Sequence, residues 1–444
     1  MLEASEMLTL FRPDPARPYR ALVGFEYEVP LFDRQTLTPL RYDGARGLGS
    51  VLAHAAQWLG GTLEPGHPPQ KVSLPGGATV SLEPGGQLEF SSEPQPTFAG
   101  CLDQLRRFEG LLASLAERFA VQPFFGGVSP VHTVDEIGLV LPSERYRLMD
   151  RHFAELGTMG RRMMRQSASL QITFDYSDAA VGRELLRAAL FVAPWVAGML
   201  AHSPFVDGAL AGFRSFRQPI WRNTDPARCG LLPGFQRPDY GFSDYLAHLI
   251  EVPLLFVATP QGLRAPPNMT FAELNERGLA GRAATLDDLE LHNSTIFTDV
   301  RLKRTIELRS VDAQEPRLAR AVIALLSGLL LGEGARRRTL ALLGAFDEVA
   351  SEAASAALAR DGLQAEIAGR SARAVALALL GSARQELGAG FAHGDQAAQA
   401  LAPLAALVAR GQTPADIVLE RCGGRAERWL ALGPLLVTPE ICDG

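Results

Sequence analysis

The stretch at residues 81–90, S-L-E-P-G-G-Q-L-E-F, constrains this chain more than any other. Apolar and polar residues alternate in it around Pro84-Gly85-Gly86. Side chains two apart on an extended chain share a face, so Gln87 and Glu89 point one way while Leu88 and Phe90 point the other. The glycine pair predicts a kink or bulge that re-aims Glu83 into the same space. A solvated edge strand also alternates, but Pro-Gly-Gly in its middle suits a re-aimed carboxylate better.

Three other stretches repeat the pattern. Residues 24–30 place Glu26 and Glu28 opposite Phe25, Tyr27 and Val29. Residues 170–176 place Gln171, Thr173 and Asp175 opposite Leu170, Ile172 and Phe174. Residues 301–309, read as one charged strand, gather Arg301, Lys303, Thr305, Glu307 and Arg309 on one side and Leu302, Ile306 and Leu308 on the other. Two readings follow: a sheet with one wet face, or a sheet whose polar face lines a reaction chamber. Carboxylates crowded in a chamber repel one another and need protons or cations between them. Hard divalent ions such as Mg2+ take carboxylate oxygens. Together with polyphosphate, such ions serve phosphoryl transfer, and Arg and Lys on the same face answer the remaining phosphate charge.

The 444 residues suffice for a large core and more than one domain. A composition 47% hydrophobic and 21% charged is that of a soluble globular protein, and a net charge of −6 gives no reason to expect nucleic acid. The longest apolar runs, 188–201 and 321–331, fall short of the roughly 20 residues that span a bilayer. Four cysteines (Cys101, Cys229, Cys422 and Cys442) show neither zinc nor disulfide spacing, and the first residues, with Glu3 and Glu6, show no signal-peptide pattern. The expected setting is the cytoplasm, with no membrane partner.

Helical periodicity marks residues 48–59, 98–119, 182–201 and 242–250, and 143–164 with a break at 157–160. Residues 60–75 read as a turn or hairpin region, 213–238 as a long ordered loop, 252–257 as a strand, and 271–289 as helix and loop of a lid type. Strands and helices mix without regular βαβ alternation, which predicts an α+β fold. From residue 317 the chain turns to Ala- and Leu-rich helices, so a catalytic unit over 1–316 and a helical region over 317–444 are expected. Phosphate-loop, dinucleotide, nucleophile-elbow and zinc-protease motifs are missing. His132, His202 and His292 read as structural, Cys229 as a passive thiol, and Arg161-Arg162 as a solvated face.

The G-x-E-x-E strand, S-L-E-P-G-G-Q-L-E-F-S, M-M-R-x-x-x-S-x-Q-I, W-x-N-T-D-x-x-R-x-G-x-L-P and I-F-x-D-V-R-L-K-R-x-I-E-L-R follow in that order. Together they resemble the glutamate–cysteine ligases of the plant and proteobacterial type over residues 21–312. The resemblance implies a glutamine-synthetase-like core, a curved and mostly antiparallel sheet with acidic strands around Mg2+, in more than one ion, and ATP. It implies ATP-dependent joining of the L-glutamate γ-carboxylate to the L-cysteine amine through a γ-glutamyl phosphate, the first step toward glutathione or a related thiol. Carried over, Glu26, Glu28, Glu83, Glu89 and Glu307 are the Mg2+ ligands. Arg309 meets the transferring phosphate with Glu307 beside it, and Arg301 and Lys303 join it in holding ATP. Arg165 and Arg228 hold substrate carboxylates, and Gln171 and Trp221 complete the substrate site. A monomer or homodimer is expected. A paired-cysteine redox switch known in plant members finds no counterpart. Ligation to another amine, or in the ergothioneine pathway, stays open; a glycoside hydrolase or a non-catalytic ion binder leaves the arginines without a purpose.

Overall fold

A computed structural model describes residues 1–13, 19, 21–387 and 395–432. The alternating stretches become strands of one eight-stranded sheet. In chain order its strands are β1 (Val23–Val29), β2 (Thr62–Leu63), β3 (Lys71–Ser73), β4 (Thr79–Leu82), β5 (Leu88–Ser91), β6 (Leu170–Phe174), β7 (Val300–Leu302) and β8 (Ile306–Leu308). Their order across the sheet is β7-β8-β6-β1-β5-β4-β3-β2, and every neighbouring pair is antiparallel. The expected α+β class therefore holds.

Two of the sequence readings change in form. Residues 81–90 are a hairpin, not one kinked strand: Glu83 N–H donates to Gln87 O at 2.9 Å, Gly86 N–H to Glu83 O at 2.8 Å, and Leu82 pairs with Leu88. Gly86 sits at φ +87°, a conformation that favours glycine. Residues 301–309 are likewise two strands joined by a tight turn, with Lys303 N–H donating to Thr305 O at 2.7 Å. Arg301 pairs with Glu307 across that turn, so the charged residues still share a face.

The opposite face is apolar and closed. Val23, Phe25, Tyr27, Val80, Leu88, Phe90, Leu170, Ile172, Ile306 and Leu308 are all buried. Helix α1 (Leu48–Leu59) packs against β2 and β3, and helix α2 (Phe98–Arg118) stacks Phe108 on Phe90 at 5.1 Å. A one-residue slip of any strand would turn this row outward, so burial locks the register.

The charged face is roofed by helices α3 (Glu144–Leu156) and α4 (Gly160–Gln166), which realise the expected break. Helix α5 (Ala179–Met199) is apolar on all sides over its second half and is enclosed accordingly. The 213–238 segment is not wholly irregular, since it contains helix α6 (Arg217–Arg222). Helix α7 (Pro316–Leu330), capped by Glu315, carries the apolar run at 321–331 into the same core as the sheet. The 252–257 strand lies later than expected, at Val257–Thr259. No single helix among the described residues is long and apolar enough to cross a membrane.

The hairpin turn before β5 touches α4 directly, because a Cβ at Gly85 would collide with the backbone of Arg165. Gly85→Ala is therefore expected to cost about 2 kcal/mol or more of stability. Gly110→Ala, inside α2 with open space around it, should gain about 1 kcal/mol. Thermal unfolding of the two variants checks both signs.

Candidate active site

Four carboxylates converge from separate strands onto one cleft. Glu26 and Glu28 come from β1, Glu89 from β5 and Glu83 from the hairpin turn, and all four line a cavity of about 200 Å3 with Gln171, Trp221, Arg145, Arg301 and Arg309. Strand register places them, since Glu28 pairs with Glu89 and Glu26 with Gln171. Each keeps a little solvent contact through the cleft, while protein closes around the rest.

Burial and mutual repulsion raise the proton affinity of the set. Glu83 is pushed up to about 8, first by burial and then by the charges of Glu28 and Glu26. Burial lifts Glu89 well above the ordinary carboxylate range, and Glu26, Glu83 and Glu28 add to it. Glu26 is raised by burial and by Glu307. Glu28 is also raised by burial, against the pull of Arg217 and Arg309 and of its bonds to Ser169.

Glu307 is the opposite case. It is 1% exposed, which alone would favour its neutral form. Arg301, Arg309 and Lys303 overcome that and hold its carboxyl well below the ordinary range. Arg301 Nε donates to it at 2.7 Å, Arg309 Nη1 at 2.9 Å and Lys303 Nζ at 3.2 Å. Glu307 thus lies behind the cleft wall, spent on three cations. A hydrogen-bonded chain joins this cluster to the acidic one: Arg309 Nη1 donates to Gln171 Oε1 at 2.6 Å, and Gln171 Nε2 donates to Glu28 Oε1 at 3.1 Å. Two guanidiniums lie over the Trp221 ring, Arg217 at 4.7 Å and Arg309 at 5.7 Å from its centre. Arg309 Nε and Trp221 Nε1 are buried with no hydrogen-bond partner among the described residues.

Two of the expected substrate arginines are placed elsewhere. Arg165 turns behind the hairpin, donating to Asp150 and, at 3.3 Å, to the Val134 carbonyl. Arg228 is buried, with Nε 2.6 Å from Asp225 Oδ2 and Nη2 2.8 Å from the Pro253 carbonyl. Neither lines the acidic cleft, and each is paired with an aspartate, Arg165 with Asp150 and Arg228 with Asp225. The Arg161-Arg162 pair is also not simply solvated, as Arg161 forks onto Asp150 and Arg162 onto Asp207.

Sequence reasoning passed over Arg145, Tyr146 and Arg217, which the fold brings to or behind the cleft; the signal for Arg145 and Tyr146 was their place in the expected 143–164 helix, and Arg217 fell in the segment read as a loop. His202 and His292 are buried and pulled down to about 4 by burial, bonded to backbone carbonyls as structural histidines. His132 stacks on Phe32. Burial pushes the Cys229 thiol up to about 12, which suits a passive thiol.

No three His, Cys, Asp or Glu side chains stand at metal-ligand spacing among the described residues. The donor chemistry of the four carboxylates nonetheless fits a hard divalent ion, which would have to draw them together. The unpartnered Arg309 Nε suits an added oxyanion beside it.

The site is thus a cleft with carboxylates on one wall and guanidiniums on the other, over an antiparallel sheet. A family model described as Glutamate-cysteine ligase family 2 matches residues 22–431, and the chain belongs to that family. It is 29% identical over 412 residues to the chloroplastic glutamate–cysteine ligase of Medicago truncatula, covering 91% of this chain and 79% of that protein. With the tomato (Solanum lycopersicum) protein of that name it shares 30% over 336 residues, 74% of this chain but only 62% of the relative, less than two thirds of its length. A glutamate–cysteine ligase of Francisella tularensis, solved in complex with AMP, superposes with a TM-score of 0.58 at 13% identity over 94% of this chain and 88% of that one, a likeness of fold.

The raised carboxylate of Glu83 sets a pH dependence. Its folded value near 8 exceeds the ordinary one, so its favourable contribution is complete below about pH 4.5 and is lost as pH rises toward 8. In chelator-treated protein, Glu83→Gln should gain stability relative to the parent by roughly 4 kcal/mol between pH 5 and pH 8.5. Urea unfolding at the two pH values measures it; a constant difference contradicts the burial of Glu83.

Proposed function

We propose that the protein joins the γ-carboxylate of L-glutamate to the amine of L-cysteine at the expense of ATP. The observation that carries this is the meeting of Glu26, Glu28, Glu83 and Glu89 with Arg309 in one cleft, in a chain of the glutamate–cysteine ligase family. A carboxylate is a poor acyl donor because oxide is its leaving group. In the proposed reaction a γ-carboxylate oxygen attacks the terminal phosphorus of ATP and ADP leaves. The amine nitrogen then attacks the acyl carbon of γ-glutamyl phosphate and inorganic phosphate leaves.

Glu26, Glu28, Glu83 and Glu89 would hold Mg2+, in more than one ion, which when bound offsets the charge of the phosphates. Glu307, expected as a fifth ligand, would serve that set from behind the wall by ordering Arg301, Lys303 and Arg309. Those three cations face the phosphates of ATP, Arg309 nearest the transferring group. Gln171 orients Arg309 and Glu28 at once. Trp221, with the guanidiniums of Arg217 and Arg309 over its ring, would help exclude water from a reactive acyl phosphate. For Arg165 and Arg228 the proposal is support: Arg165 braces the hairpin that presents Glu83, and Arg228 ties the 225–228 turn to the 253–295 region.

Incubation with ATP, Mg2+, glutamate and each common amino acid, with phosphate release as readout, tests the activity. Cysteine-dependent release is expected; release with another amine only moves the acceptor, and no turnover with any pairing defeats the proposal. Glu26→Gln and Glu307→Gln should each lower kcat about 100-fold or more while unfolding cooperatively.

A further inference from the structure

Strand β7 is the outer edge of the sheet, and the turn that follows it carries Lys303. Across this hairpin Lys303 N–H donates to Thr305 O at 2.7 Å and Arg309 N–H to Asp299 O at 2.9 Å. Odd-numbered residues of the strand therefore bond inward, and Val300 and Leu302 turn their carbonyls to the outer side. Buried carbonyls on a sheet edge need partners from elsewhere. Thr298 Oγ1 donates to the Val300 carbonyl at 2.7 Å, and Asn293 Nδ2 donates to the Leu302 carbonyl at 2.9 Å. Asn293 is buried at the end of the helix Leu286–Asn293. A carbonyl only accepts, so the amide must turn its NH2 to Leu302, which leaves its oxygen for a donor. The buried Tyr245 hydroxyl, from the helix Phe242–Glu251, donates to that oxygen at 2.9 Å.

One residue further on, the Lys303 carbonyl lies 2.9 Å from the Tyr176 hydroxyl, which also meets the Phe11 carbonyl. The single proton of that hydroxyl is shared between two acceptors, so Asn293 is the firmer hold on the turn. The three cations around Glu307 do not depend on this hold equally. The Arg301 and Arg309 side chains are each 9% exposed, and Arg301 Nη1 is also bonded to the Ser294 carbonyl at 3.3 Å. The Lys303 side chain is 42% exposed, and among the described residues Glu307, at 3.2 Å, is its one ion-pair partner. Where a flexible four-carbon stem can deliver its charge is set by where its backbone is anchored. We propose that Asn293 is a positioning residue for Lys303: by holding the Leu302 carbonyl, with Tyr245 behind it, Asn293 fixes the turn from which Lys303 reaches the phosphates of ATP. This rests on the reading of Lys303 as a phosphate-binding cation given above.

Titration calorimetry with MgATP, on protein free of glutamate and cysteine, tests this once thermal unfolding shows which variants fold. Asn293→Leu, close in volume, should weaken MgATP binding about tenfold, the size of one lost hydrogen bond. In a Lys303→Met background the same change should add less than about threefold, because the two act through one side chain. KM for glutamate should move less than about threefold, which a general distortion of the sheet would not respect. Tyr176→Phe should weaken MgATP binding about threefold in the parent and add nothing to Lys303→Met; it carries the comparison if Asn293→Leu does not fold. Unchanged affinity in Asn293→Leu, or in Tyr176→Phe where that variant stands alone, overturns the positioning role. So does an undiminished loss in the Lys303→Met background, or an equal loss for glutamate; each leaves the ligase reading standing. A parent protein that binds MgATP without cysteine-dependent phosphate release overturns the ligase reading alone, and one that binds no MgATP overturns both.

Discussion

Repulsion among four carboxylates on one sheet face is the constraint on which the rest of the structure depends. In water such groups would part. Here they stay together because the other face of every strand that bears them is buried, and slipping the register would expose Phe25, Tyr27, Leu88 and Phe90. The fold thus stores unfavourable charge, seen in the raised proton affinity of Glu83 and Glu89. A cation or a proton would relieve it, which sets the cleft apart from a passive wet surface.

The basic side is built by the reverse device. Glu307, nearly sealed from solvent, gathers Arg301, Lys303 and Arg309 and orders their long side chains before any ligand arrives. Preordered charge costs little reorganisation when a phosphate is transferred. Gln171 is the joint between the two halves, since its amide answers Arg309 with oxygen and Glu28 with nitrogen.

The helices matter mainly as roof and clamp. Gly85 lets the hairpin turn approach the backbone of α4 closely, and Gln87 Nε2 fastens it with a 2.7 Å bond to the Ser167 carbonyl. Met163 and Met164, next to Arg165 in sequence, face the cleft while Arg165 points behind the hairpin. One turn of helix therefore serves both the chemistry and its support.

Periodicity made much of this legible. A repeat of two told which residues of 24–30, 81–90 and 170–176 share a face, and a repeat near 3.6 located α1, α2 and α3 within a residue or two. The order of acidic strands even disclosed Glu26, Glu28, Glu83 and Glu89 as a set. Local pattern could not distinguish one bent strand from a hairpin at 81–90 or 301–309, because a turn that preserves the alternation leaves the same string of letters. Nor could it say which arginines would be paired. Arg165 and Arg228 sit in the stronger motifs, but Asp150 and Asp225 reach them in space; Arg145 sits in no strong motif and forms no ion pair among the described residues. Which face a residue takes is settled by its immediate neighbours along the chain. Which charge stays unanswered is settled by side chains brought from far away, and only the folded molecule decides that.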